Sequence, residues 1–104
     1  MIILPKPLEF EWDKGNSDKN FKKHKLSNRE IERVFIDNKK KFTFEDKKHS
    51  ATEKRYGIFG KMDNGKLLSI VFTVRKDKVR VITARSMSKK ERRSYEKIKT
   101  NSNI

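Results

Sequence analysis

Residues 66–75, KLLSIVFTVR, constrain the fold more than any other stretch of the chain. In extended form they put Leu68, Ile70, Phe72 and Val74 on one face and Leu67 and Val71 on the other. A strand that is apolar on both sides belongs inside a sheet. Its flanks supply the neighbours. Asp63-Asn64-Gly65 is a tight-turn signal that joins it to residues 55–61, and Lys76-Asp77 is a short turn into residues 78–85. Residues 41–45 also alternate, with Phe42 and Phe44 on one face. Residues 8–12 do the same, with Leu8, Phe10 and Trp12 opposite Glu9 and Glu11, and read as a half-buried strand with Trp12 in the core.

Two capping boxes mark helices. Ser27 and Glu30 open one over about 28–38, with Leu26 and Ile31 as a hydrophobic staple and Ile31, Val34 and Phe35 on its inner face. Ser88 and Glu91 open another over about 89–99, whose apolar positions are Tyr95 and Ile98. Asp13 can cap a weaker helix over roughly 14–25. The expected order is β-α-α-β-β-β-β-α. That is an α+β fold, an antiparallel sheet with helices gathered on one side. The chain reads as a single domain over 1–99 with a frayed tail over 100–104.

Charge narrows the function. The 104 residues carry 28 Lys+Arg and 14 Asp+Glu, a formal net charge of +14. Residues 39–61 hold eight basic and three acidic side chains, and residues 75–104 hold eleven and three, so these blocks carry +5 and +8 of that total. Clustering of this kind is the footprint of a polyanion binder, most often of nucleic acid. A Lys-rich habit of composition is the blander explanation, with 20 Lys to 8 Arg. With no Cys there is no thiolate nucleophile and no Cys-based metal site, and two separated His make a metal centre an unexpected outcome. No run approaches the length of a membrane span, and the start is not a secretory signal. No P-loop, GxGxxG or nucleophile elbow is present, so no cofactor is expected, and a soluble, cytoplasmic protein is.

Three segments in register resemble one family. Phe10-Glu-Trp-Asp13 with Asn20 and Lys23-His24, then Phe44-Glu-Asp46 with His49-Ser50, Glu53 and Arg55, then Ile82-Thr-Ala-Arg85 with Ser88, Glu91-Arg92-Arg93 and Tyr95-Glu96, are similar to the pattern of BrnT-type toxins. The resemblance implies a RelE-like ribonuclease, the toxin of a bacterial type II toxin–antitoxin pair, which cuts RNA, free or on the ribosome, and arrests translation. It implies a DNA-binding, BrnA-like antitoxin as partner, with operator DNA reached only through that complex. Two positions depart from the pattern. The family usually has Lys where this chain has Asn16, and Gly where it has Lys25, at a helix end that favours a left-handed cap.

Such cleavage needs no metal. The ribose 2′-OH attacks the adjacent phosphate, and the protein holds the phosphate, stabilises charge and moves protons. Arg suits the first two tasks. Arg85, just before the last helix, is the leading candidate for phosphate contact; the structural alternative is an ion pair with Glu91. Arg55 either reaches the same pocket or pairs with Glu53 or Asp46. His49 is a candidate for proton transfer or a turn residue bonded to Asp46. His24 shares a helix face with Asn20, which fits a structural hydrogen bond as well as RNA contact. Arg92 is expected to aim into the site. Lys23, Arg80, Lys89, Lys90 and Arg93 are expected phosphate contacts, although Arg80 also fits a solvated strand position. Tyr95 either stacks on a base or packs on the sheet. The competing functions are a non-catalytic RNA- or ribosome-binding module and a DNA-binding regulator.

Overall fold

The two-sided apolar stretch becomes an interior strand. A computed structural model describes residues 4–36, 41–47 and 53–101. Their elements are α1 (Ser17–His24), α2 (Asn28–Ile36), β1 (Lys41–Glu45), β2 (Tyr56–Lys61), β3 (Leu67–Arg75), β4 (Lys78–Ser86) and α3 (Lys89–Asn101). The strands form one antiparallel sheet in the order β1-β2-β3-β4, so β3 is flanked on both sides. Its turn to β4 has Lys76 and Asp77 at φ 50° and 63°, the left-handed pair that a two-residue hairpin requires. The β3–β4 register shifts between Val71 and Phe72, which face Thr83 and Val81 and leave Ile82 as the extra residue of a bulge.

Both capping boxes form. Ser27 N–H donates to Glu30 Oε1 at 3.0 Å and Glu30 N–H to Ser27 Oγ at 3.2 Å. Ser88 and Glu91 repeat the pattern at 2.8 and 3.2 Å. Lys25 stands at φ 58°, so the left-handed helix end falls where a glycine was favoured. The staple pair Leu26 and Ile31 joins Val34 and Phe35 in a core with Ile58, Leu68, Ile70, Phe72, Val79, Val81 and Ala84. A Cβ on Gly60 would stand 2.3 Å from Val34 Cγ1, so α2 approaches β2 as closely as it does only because that position lacks a side chain.

Two expectations are corrected. Residues 8–12 do not form a strand. Only Phe10 bridges Val79, in parallel, through Glu11 N–H to Val79 O and Val79 N–H to Glu9 O, both at 2.8 Å. The pairing stops because the chain turns at Asp13, and the side chain of Asn16 takes over the edge: its Nδ2 donates to Glu11 O and Val81 O, both at 3.0 Å. The helices do not share one side either. Alternation from the register puts Phe42, Phe59, Ser69 and Arg85 on the face opposite the core just described. On that face α3 sits, with Tyr95 against Phe42 at 5.5 Å between rings and Glu91 on Ser69 and Arg85. Ile98, the other apolar position of α3, is 40% exposed. Tyr95 already lies over the edge strand β1, so one turn later α3 has no sheet beneath it.

Asn16 is buried, and besides its two donated bonds its Oδ1 accepts from Asp13 N–H at 2.7 Å. Asn16→Ala would leave buried carbonyls unpaired at the sheet edge. We expect it to cost about 2 kcal/mol, read as a lower urea midpoint at unchanged slope.

Candidate nucleic-acid interface

Because α3 touches the sheet at Glu91 and again at Tyr95, it crosses from β4 toward β1 above the row Phe42–Phe59–Ser69–Arg85. The next row on the same face, Phe44–Gly57–Val71–Thr83, lies two residues further along the strands. Beyond it, continuing the alternation, come Arg55, Thr73 and Arg80. On this face α3 stands along one side of the rows.

Beside the start of α3, Arg85 and Glu91 form a bidentate pair, Nη1 to Oε1 at 2.6 Å and Nη2 to Oε2 at 2.9 Å. Glu91 is fully used: it also accepts Ser88 N–H at 2.8 Å and Ser69 Oγ–H at 3.3 Å. The Arg85 hydrogen bonds, supported by Ser88, outweigh burial and hold the Glu91 carboxyl down at about 2. Glu91 in turn raises Arg85. Arg85 spends the end-on edge of its guanidinium on Glu91, and Nη1 also reaches Ser86 O at 3.2 Å. Its side-on edge, Nε–H with the outer Nη2–H, has no partner among the described residues, and the side chain is 43% exposed. The ion pair thus leaves a second pair of N–H donors open on the same guanidinium.

The other expected residues fall differently. Arg80 is neither solvated nor open: Nη1 donates to Glu11 Oε1 and Asp13 Oδ2, both at 2.8 Å, and its side chain is 17% exposed. It pins the N-terminal segment to β4, so it is corrected from an RNA contact to a structural tie. Glu11, on the polar side of the 8–12 alternation, is one of its partners. Tyr95 is 1% exposed and is core, not a stacking residue. Arg92 is exposed and does not aim inward; its Nε reaches back to Met87 O at 3.4 Å. Arg55 is half-buried and its carbonyl accepts Asp46 N–H, while Glu53 is taken by Arg75 at 2.6 Å. The register separates Arg55 from Arg85 by two rows and two strands, about 16 Å between Cα atoms, so they do not meet in one pocket. Lys23, Lys89, Lys90 and Arg93 are exposed. His24 ends α1, whose main packing partner is β4, and makes no hydrogen bond among the described residues; the expected pair with Asn20 involves a side chain outside the described set. His49 lies outside the described residues. Trp12 packs on the core and donates Nε1–H to Glu32 at 2.6 Å.

The family model of the BrnT ribonuclease toxin of type II toxin–antitoxin systems matches residues 12–91. The chain belongs to this family. No curated protein matches it. The BrnT match ends at Glu91, so the Arg85–Glu91 pair lies inside it and Arg92, Arg93 and Tyr95 lie beyond it. Sequence reasoning saw Glu91 as a cap and a rival to phosphate, and missed that one carboxylate does both jobs while steering Arg85. The clue was present in the shared position of capping box and strand end. Among the described residues no group of three His, Cys, Asp or Glu side chains could hold a metal, and no helix is long and apolar enough to cross a membrane.

The Glu91 shift makes a pH prediction. Its carboxyl falls from 4.5 to about 2 on folding. A depressed carboxylate stabilises the fold above its unfolded value and loses that contribution as pH drops from about 4.5 toward 2. Because Arg85 is substantially exposed, screening leaves about 1–2 kcal/mol. Thermal melts should show Glu91→Gln less stable than wild type at pH 6, with the gap narrowing below about pH 4.5 and closing only near pH 2. A constant gap would assign the loss to packing instead.

Proposed function

We propose that this chain is a RelE-like endoribonuclease that cuts RNA without a metal. The ribose 2′-OH attacks the adjacent phosphorus, the 5′-oxygen leaves with a proton, and the products carry a 2′,3′-cyclic phosphate and a 5′-hydroxyl. The observation that carries this reading is the open side-on edge of Arg85, two parallel N–H donors held in place by Glu91. They match two phosphate oxygens and strengthen as charge develops on them. The first turn of α3 adds its positive end, and exposed Lys89, Lys90 and Arg93 supply phosphate attraction along the helix. Glu91, ionised far below neutrality, is too weak a base to take the 2′-OH proton; its work is positioning. Proton transfer falls to His49, imidazole being the side chain type suited to it near neutral pH.

A type II toxin is paired with an antitoxin. Here we propose a BrnA-like, DNA-binding partner whose acidic surface covers α3, silences the nuclease in the cytoplasm and carries it to operator DNA. Freed of that partner, the toxin arrests translation. The test is direct. Purified toxin is incubated with RNA, with and without ribosomes, in the presence of EDTA, and product ends are mapped. Cyclic phosphate ends in EDTA are expected. RNA left intact at high protein excess under both conditions would leave only a binding module.

A further inference from the structure

Phe44 is mid-strand on β1 yet 41% exposed. Its ladder partner is Gly57, and a Cβ there would fall 2.2 Å from Phe44 Cζ and 2.4 Å from Cε2. The ring therefore lies across the Gly57 backbone, in the space a side chain would fill. Phe59 meets it from the side at 5.1 Å with an interplanar angle of 60°. Supported below and beside, the ring turns its remaining face outward, at low entropic cost for anything that lands on it.

The position matters as much as the ring. Phe44 heads the row Phe44–Gly57–Val71–Thr83, the uncharged row next to the one that α3 covers. One row away is Arg85, and one row away on the other side is Arg55. An exposed aromatic beside the row that carries the open side-on edge of Arg85 supplies the two contacts of a single-strand binding surface, a cation for phosphate and a ring for a base.

We propose that Phe44 is a base-stacking shelf: it takes one nucleobase of single-stranded RNA while the strand's phosphate backbone runs toward Arg85. This rests on the nuclease reading, and adds that the enzyme selects unpaired RNA through a base-tolerant contact about 16 Å, Cα to Cα, from the phosphate-binding arginine.

The probe is a 2′-O-methyl RNA oligonucleotide, which cannot supply the attacking hydroxyl, carrying 2-aminopurine at one position per molecule. Wild type should quench fluorescence at one or two positions. Phe44→Leu, which keeps an apolar side chain over Gly57, should lose that quenching and bind about 5- to 100-fold more weakly. Its salt slope should stay unchanged, because stacking releases no counterions, whereas Lys89→Ala with Lys90→Ala should lower the slope by about one to two. Phe44→Trp should retain affinity, and the introduced indole should itself be quenched by the oligonucleotide. Should Phe44→Leu fail to fold, the Phe44→Trp emission decides: an indole indifferent to bound RNA overturns the shelf. So does wild-type quenching and affinity in Phe44→Leu, even where that variant binds the antitoxin more weakly. Quenching without cleavage of any unmodified RNA would sink the nuclease reading and keep the shelf; cleavage without Phe44-dependent quenching would do the reverse.

Discussion

Replacing Arg85 by Ala is expected to lower the rate of RNA cleavage by about 10²–10³, the usual cost of one oxyanion-type donor. Two donors leave together, the parallel pair on the side-on edge of the guanidinium. The fold should survive. Arg85 is 43% exposed at the end of β4, and Glu91 keeps Ser88 N–H and Ser69 Oγ–H. Arg85→Lys keeps the charge and loses the fork, so it should restore affinity and its salt dependence while recovering little of the rate. Glu91→Gln should lower the rate without changing affinity as much, since an unsteered Arg85 still attracts phosphate. Single-turnover cleavage at saturating protein separates these effects. An Arg85→Ala variant that folds and cuts at the wild-type rate would remove Arg85 from the chemistry.

That result would bear on how much of the site could be read from the chain. The capping boxes were legible because every bond in them spans three residues. The Lys76-Asp77 hairpin was legible because spacing alone set it. Arg80 was not. Its partners, Glu11 and Asp13, are 69 and 67 residues away, and no local pattern marks the match. The same distance hid the N-terminal segment: its alternation is satisfied by one bridge to β4 as well as by a full strand. The side taken by α3 was within reach but not drawn out. Leu67 and Val71, apolar on the second face of β3, already required cover there, and only α3 was available to give it. Phe44 was legible as a strand residue. Its exposure was not, because it depends on Gly57 directly across the ladder.

The largest stability effect is expected on the other face of the sheet. Phe35 is 1% exposed and meets Phe10 at 5.3 Å and Phe72 at 5.0 Å, both edge-on. Phe72 continues the chain of rings to Tyr56 at 5.6 Å. One side chain thus joins α2, the N-terminal segment and β3. Phe35→Ala should cost about 3–5 kcal/mol, from lost burial and the cavity left between three elements. A domain of this size has about 5–15 kcal/mol in total, so the variant would stand near its unfolding threshold. Phe35→Leu fills most of the space and should cost under about 1.5 kcal/mol. Urea titration followed by circular dichroism measures both. Trp12 reports the local event, because it stacks at 6.5 Å on Phe10, the ring that Phe35 holds. Its emission should shift in Phe35→Ala before the global transition. Arg85 and Phe44 lie on the opposite face, so Phe35→Leu should cleave RNA at the wild-type rate. A cost below about 1 kcal/mol for Phe35→Ala would mean that α2 is held by Ile31 and Val34 alone, and that the ring chain contributes packing without fixing the N-terminal segment.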